Sequence, residues 1–224
     1  NNTPHTNCLT LRLLHAAKGY KAVAFDIFDT LLKRDCAHPA DLFALMEVTH
    51  QAALGFAEAR VAAEAETRQT LGREVTLAEI YAHPALRGTD PAAECAAELA
   101  MIAPNRPVAQ AAAACHARGQ KVYAVSDMYL PKEQIEAMLQ KCGLDFLDGV
   151  FVSCEYRVQK RSGKLFKLFL QQTALRPAEV LFVGDSPRAD FAGAALAGIR
   201  CFLLPQPTPL PYTKTPADAV GGVA

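Results

Sequence analysis

Neither sign of charge dominates this chain: its 224 residues hold 23 Lys and Arg against 23 Asp and Glu. With no global field to draw nucleic acid or an anionic membrane surface, small-molecule chemistry is the better fit. Paired metal-binding cysteines are also missing. The 7 cysteines, at positions 8, 36, 95, 115, 142, 154 and 201, are odd in number, form no Cys-x-x-Cys pair and have no histidine at a zinc-like spacing. They read as reduced, buried thiols of a cytoplasmic protein. No apolar run approaches the roughly 20 residues that cross a bilayer; stretches such as 192–199 are short and rich in alanine and glycine. No membrane span is expected. The first residue is Asn1 rather than methionine, which leaves room for a preceding leader or for an additional domain or protein partner. What the chain does have is apolar mass: at 51% hydrophobic residues it can bury a sizeable core in one domain, or in one domain with an insert.

Hydrophobic periodicity divides the chain. Residues 9–18 have helical spacing and stop at Gly19, just before an apolar strand at 21–27. From 39 to 101 strand signals vanish and helical ones follow at 39–54, 56–71, 76–81 and 90–102, the last with Pro91 at its first turn. This interval reads as an all-helical insert of about 65 residues. Beyond it strands (121–126, 149–153, 180–183, 200–204) alternate with helices (107–118, 132–141, 164–173, 188–197). Such alternation predicts a three-layer, Rossmann-like α/β fold: a parallel sheet between helices, with ligands at the carboxyl ends of the strands. The expected organisation is a core of residues 1–33 and 105–204, a helical cap over 34–104 and a proline-rich tail, 205–224, with five prolines.

Four motifs fall at that carboxyl edge. Val-Ala-Phe-Asp26-Ile-Phe28-Asp29-Thr-Leu closes a strand on a carboxylate; Val-Tyr-Ala-Val-Ser126-Asp127 closes one on a hydroxyl; Lys160 follows the strand at 149–153; and Val-Gly-Asp185-Ser precedes Asp190. Asp, Ser, Lys and Gly-Asp in this order resemble the haloacid dehalogenase superfamily of hydrolases, over roughly residues 20 to 205. The run Phe-Asp-Ile-Phe-Asp-Thr-Leu-Leu with Ser-Asp-Met-Tyr-Leu is similar to predicted hydrolases of bacterial surface-polysaccharide gene clusters. That points, by analogy alone, to a sugar phosphate or related glycan precursor.

The resemblance implies a capped, Mg²⁺-dependent phosphatase acting on a small phosphorylated metabolite. Asp26 and Asp185 would hold the metal, with Asp190 orienting them or adding a ligand and the backbone carbonyl of Phe28 contributing. Asp26 would attack phosphorus to give an aspartyl-phosphate that water then splits. Ser126 and its neighbour Asp127 would bind a phosphoryl oxygen, and Lys160 would neutralise charge beside Asp26. Lys164 competes for that last role, but Lys160 stands six residues before a helical aromatic, Phe166, the spacing the resemblance implies.

One departure matters. Phosphatases of this superfamily place a second Asp two residues after the first, as general acid and base; here Phe28 holds that position and Asp29 lies one further on. A one-residue shift redirects a side chain, so Asp29 inherits the role only if the turn bulges; otherwise it stabilises the turn. Arg34 is a candidate contact for a substrate's distal anion. Arg60, Glu64 and Arg68 recur at i, i+4 and i+8; they read as an ion-pair ladder on a solvated helix face, or as groups aimed at the cleft. His38-Pro39 and His83-Pro84 read as turn chemistry. The alternative to catalysis is a module that keeps the fold and binds metal or phosphate as a regulatory part of a larger glycan-biosynthesis protein.

Overall fold

The computed structural model describes residues 8–36 and 38–205. In chain order the elements are α1 (Cys8–Ala16), β1 (Ala22–Phe25), β2 (Leu32–Arg34), α2 (Asp41–Val48), α3 (Phe56–Leu71), α4 (Leu77–Tyr81), α5 (Pro91–Met101), β3 (Ile102–Pro104), α6 (Arg106–Ala117), β4 (Lys121–Ser126), α7 (Lys132–Lys141), β5 (Gly149–Val152), α8 (Ser153–Tyr156), α9 (Lys164–Thr173), β6 (Val180–Gly184), α10 (Gly193–Leu196) and β7 (Arg200–Leu203). Five strands form one parallel sheet in the order β5-β4-β1-β6-β7.

Alternate residues of each central strand feed opposite cores. Val23 and Phe25, Val122 and Ala124, Leu181 and Val183 pack on one face with α1, α6 and α7; Ala22 and Ala24, Val125, Val180 and Phe182 pack on the other with α9 and α10. A strand buried on both sides reads as a continuous apolar run, which is why these strands were visible in the sequence. The three-layer α/β architecture follows.

The helical stretch between β1 and β4 has its own core. Leu42, Phe43 and Met46 of α2 meet Phe56 and Ala63 of α3, Val75, Ile80 of α4, Leu86 and Ala97 of α5. A capping box closes the start of α4: the Thr76 hydroxyl accepts from the Glu79 amide and the Glu79 carboxylate accepts from the Thr76 amide. Two short strands, β2 and β3, pair antiparallel where the chain leaves and re-enters the core, and the sequence pattern missed both. At three residues each, neither presents a period long enough to detect.

Three other features differ from expectation. The first insert helix ends at Val48 rather than reaching 54, and His50 then takes a left-handed conformation (φ 57°). The single helix expected over 188–197 divides into a wide π turn, Pro187–Ala192, and α10. A further short helix, α8, directly follows β5. The tail expected at 205–224 lies, beyond Pro205, outside the described residues. The thiols are less buried than expected: Cys115 and Cys154 are buried, Cys36, Cys95, Cys142 and Cys201 half-buried, and Cys8 exposed. No helix among the described residues is long and apolar enough to cross a membrane.

Candidate active site

Parallel strands bring their carboxyl ends to one edge, and the four motifs meet there. Asp26 follows β1 directly; its amide donates to the Val183 carbonyl of β6 at 2.8 Å, and its Oδ1 accepts from the Ile27 amide at 2.8 Å. Only 8% of Asp26 is exposed. The Lys160 ammonium lies 2.8 Å from Asp26 Oδ1 and 2.6 Å from Asp190 Oδ1. At 2% exposure Lys160 is among the larger fully buried side chains, whereas Lys164 sits exposed in the first turn of α9. The structure thus separates the two lysines.

Asp190 is wholly buried and fully occupied. Its Oδ1 takes the Lys160 bond, and its Oδ2 accepts from the amides of Asp185 (3.0 Å) and Ser186 (2.9 Å). Two glycines make this approach possible. A Cβ on Gly184 would collide with the Asp190 carboxylate, and one on Gly193 with the Lys160 carbonyl. The wide π turn that carries Asp190 inward is a distortion common where a side chain must be re-aimed at a site. Asp185, after β6, accepts from the buried Thr30 hydroxyl at 3.3 Å, and the Thr30 carbonyl is held by Asn105 Nδ2 at 2.7 Å. The sequence reading had missed Thr30 and Asn105; Thr30 lies inside the first motif, so a signal was available.

Oxygens of Asp26, Asp185 and Asp190 all lie within 4.8 Å of one another, a grouping able to hold a metal ion. Hard carboxylate oxygens of this kind suit a divalent cation such as Mg²⁺. Against three carboxylates stands the one ammonium of Lys160. Burial, with Asp190 adding to it, pushes the Asp26 carboxyl up to about 7 even though Lys160 pulls the other way; the opposing acids hold Lys160 firmly protonated. A buried excess of negative charge is costly, and a cation relieves it.

Ser126, the last residue of β4, is buried, and its hydroxyl makes no hydrogen bond among the described residues. The Asp127 side chain is engaged within the protein. Its Oδ1 accepts from the Lys160 amide at 2.9 Å, anchoring the loop that delivers the lysine, and burial raises its pKa. Phe28 stands on the turn after β1, partly buried, with the Arg34 guanidinium 4.1 Å over its ring. Arg34 is in turn clamped by Glu98, Nε at 3.0 Å and a terminal nitrogen at 3.2 Å. In this arrangement its charge is answered within the protein rather than offered to a substrate. Asp29 is exposed and adopts a left-handed backbone (φ 60°), a conformation that non-glycine residues other than Asn, Asp and His rarely take.

Several contacts that no motif announced close the site from the helical side. Glu74, between α3 and α4, accepts from Ser153 Oγ and Gln159 Nε2, both at 2.7 Å, and pairs with Arg68. Ser153 Oγ accepts from the Met128 amide at 2.9 Å. Glu79 pairs with Arg73 (2.8 Å) and with Arg157 (2.5 Å) of the loop before Lys160. The Arg60–Glu64–Arg68 ladder is present, at 3.0 Å per pair, but it is no solvated face. Arg60 has no exposed surface and bonds Glu94 at 2.7 and 2.8 Å. His83 performs turn chemistry, accepting from the Ala85 amide at 3.2 Å.

A fold of this kind, with carboxylates and one lysine at a strand edge, defines an α/β hydrolase site of a recognisable class. The family model of haloacid dehalogenase-like hydrolases matches residues 20–198. The chain belongs to that family and is a hydrolase. No curated protein matches it in sequence. Solved structures share the fold at low identity. A HAD phosphatase from Thermococcus onnurineus superposes with a TM-score of 0.60 at 20% identity, covering 88% of this chain and 91% of its own. L-2-haloacid dehalogenase from Xanthobacter autotrophicus with covalently bound chloropropionic acid gives 0.58 at 21%, covering 81% and 76%. CbbY from Rhodobacter sphaeroides in complex with phosphate gives 0.53 at 18%, covering 84% and 87%.

Proposed function

We propose that this hydrolase is an Mg²⁺-dependent phosphatase of a small phosphorylated metabolite, with Asp26 as nucleophile. The observation that carries this reading is the triad Asp26, Asp185 and Asp190, whose oxygens lie within 4.8 Å of one another around one buried lysine. Halide displacement needs no such concentration of acid, whereas a phosphoryl dianion approaching a carboxylate needs a cation between them. Asp26 and Asp185 would hold Mg²⁺, which when bound supplies charge neutralisation and Lewis-acid polarisation of a phosphoryl oxygen. Asp190, already saturated, holds Lys160 and the Asp185–Ser186 turn in place. Lys160 keeps its proton and offsets charge beside the nucleophile. The Ser126 hydroxyl, without a protein partner, is available to donate to a phosphoryl oxygen, worth about 3 kcal/mol in comparable oxyanion contacts.

The helical region of residues 34–104 acts, on this reading, as a cap, joined to the core through the β2–β3 pair and through Glu74 and Glu79. Enclosure favours a metabolite over a protein substrate. Phe28 favours a second reading, haloacid dehalogenation, since a halide departs without a proton. The test is release of inorganic phosphate from an aryl phosphate and a sugar-phosphate panel, with and without Mg²⁺, for wild type and Asp26→Asn. Turnover that needs both Mg²⁺ and Asp26 is expected. Halide release from 2-haloacids instead would establish the second reading, and Mg²⁺ binding without any turnover would leave a binding module.

A further inference from the structure

Proton donors are scarce around Asp26, and that scarcity bears on what can leave when Asp26 attacks. Lys160 gives its bonds to Asp26 and Asp190. Both oxygens of Asp190 are occupied. The Thr30 hydroxyl donates to Asp185. Asp127 is fastened to the Lys160 amide. The turn that leaves β1 then presents not an acid but the ring of Phe28, backed by the Arg34 guanidinium at 4.1 Å. Arg34 is locked by both Glu98 oxygens, so this partly buried wall is held in place rather than a loose gap. Asp29, next along that turn, is exposed on a left-handed backbone.

We infer that the substrates are activated phosphoryl compounds: acyl phosphates, phosphoric anhydrides or aryl phosphates, whose leaving group departs as a stable anion without being protonated. This rests on the phosphatase reading and narrows its substrate class. In the first step a bond forms between Asp26 Oδ and phosphorus. The bond from phosphorus to the leaving oxygen breaks, and its electron pair goes with that oxygen, which departs as carboxylate, phosphate or phenolate; no proton moves. In the second step water oxygen bonds phosphorus, the aspartyl oxygen regains its electron pair, and the water proton ends on the released phosphate or in solvent. With no dedicated base for that water, the second step is the slower one and the aspartyl-phosphate accumulates.

General acid catalysis is worth about 10² to 10⁴ in rate, and the leaving groups span a wide range of acidity, from about 4 for a carboxylic acid to about 10 for a phenol and higher still for an alkanol. The experiment measures kcat/KM with Mg²⁺ for acetyl phosphate, pyrophosphate, p-nitrophenyl phosphate, phenyl phosphate and glycerol phosphate. It is paired with quenched mass measurement of the protein for a single phosphoryl adduct. Activated substrates are expected to exceed glycerol phosphate by about 10²-fold or more, with a burst of leaving group close to one per enzyme and an adduct absent in Asp26→Asn. Phe28→Asp is expected to raise the alkyl ester at least ~10-fold and narrow the range. If wild type hydrolyses glycerol phosphate as fast as acetyl phosphate, in an Asp26-dependent way, the inference is overturned while the phosphatase reading stands. If no substrate yields phosphate or an adduct, both fall. The wild-type series decides the matter even if Phe28→Asp does not fold.

Discussion

Two buried cations show how differently this chain treats structure and chemistry. Arg60, in the helical region, is satisfied on every side: Glu94 grips it through two bonds, Glu64 through a third, and the rings of Phe43 and Tyr129 lie 4.8 Å to either side of its guanidinium. Glu94 in turn accepts from the Tyr81 hydroxyl at 2.8 Å. Lys160, in the core, faces three acids with one charge, and its partner Asp26 is left so poorly compensated that burial pushes its carboxyl up to about 7. The first cluster is closed and the second is short of a cation. Evolution retains such imbalance where a ligand completes the site, because each uncompensated buried charge costs stability.

The sharpest way to break this comparison is to remove one charge from each cluster. Asp26→Asn is expected to cost on the order of 10⁴-fold in kcat, as loss of a nucleophile does, yet to raise the melting temperature of the metal-free protein at pH 8, since it removes part of the surplus. Activity assay and thermal melts check the two halves. A variant that loses activity and also melts lower would show that Asp26 is a structural anion after all. Arg60→Met is the counterpart. Stranding Glu94 in the core of the helical region is expected to cost about 3–5 kcal/mol, and Arg60→Met with Glu94→Leu to recover most of it, because a buried pair replaced whole by apolar groups is close to neutral. Denaturant titration reads both. If the double variant is no better than the single, Arg60 serves more than Glu94.

The asymmetry explains what was readable in the sequence. Asp26, Ser126 and Asp185 stand at the ends of strands whose two-sided burial makes long apolar runs, with Lys160 and Asp190 on the segments that follow β5 and β6, and strand ends in a parallel sheet share an edge. Their convergence needed only the strand pattern. Arg60 looked like a solvated ladder because its partner Glu94 is 34 positions away, and no helical period links α3 to α5. Glu74 and Asn105 were invisible for the same reason: each acts through a contact set by tertiary packing, whereas Thr30 lies inside the first motif and was there to be read. The Glu98 partner of Arg34, the candidate contact for a substrate's anion, went unseen because it stands 64 positions on and becomes a neighbour only once β2 and β3 pair. The π turn at Asp190 escaped because its cause is the close approach of Gly193 to Lys160, which helical periodicity does not encode.

A smaller effect sharpens the comparison through pH. The Asp26 carboxyl is raised from an ordinary 3.8 to about 7 in the folded, metal-free state. Between those values the native protein therefore holds more protons than the unfolded chain, and stability falls as pH rises through that window. The limiting slope is about 1.4 kcal/mol per pH unit, or roughly 3–5 °C in melting temperature for a chain of this size. The measurement is Tm from pH 4.5 to 8 with and without Mg²⁺. Wild type without metal is expected to slope downward and Asp26→Asn to slope less, the difference isolating this one group. Mg²⁺ is expected to stabilise most at the alkaline end, where the carboxylate is ionised. Equal slopes in wild type and Asp26→Asn would show that the surplus charge lies elsewhere.

The smallest effect concerns the joint between the two clusters. Glu79 bonds first to Arg73 beside it and then to Arg157 on the loop that leads to Lys160, and these bonds hold its carboxyl down at about 2. A lowered acid contributes stability above its unfolded value of 4.5 that is lost as pH falls toward 2, but both guanidiniums are partly exposed, so water and salt screen most of the effect. Glu79→Gln is therefore expected to cost only ~0.5–1 kcal/mol globally. Its informative consequence is local. If this pair and the Glu74–Gln159 bond together fasten the helical region over the site, Glu79→Gln should speed amide hydrogen exchange in 157–162 and raise KM more than it lowers kcat, by weakening enclosure rather than chemistry. Unchanged exchange in that loop would place the closing contact at Glu74, which reaches the buried Ser153 hydroxyl and is shielded from the solvent that weakens Glu79.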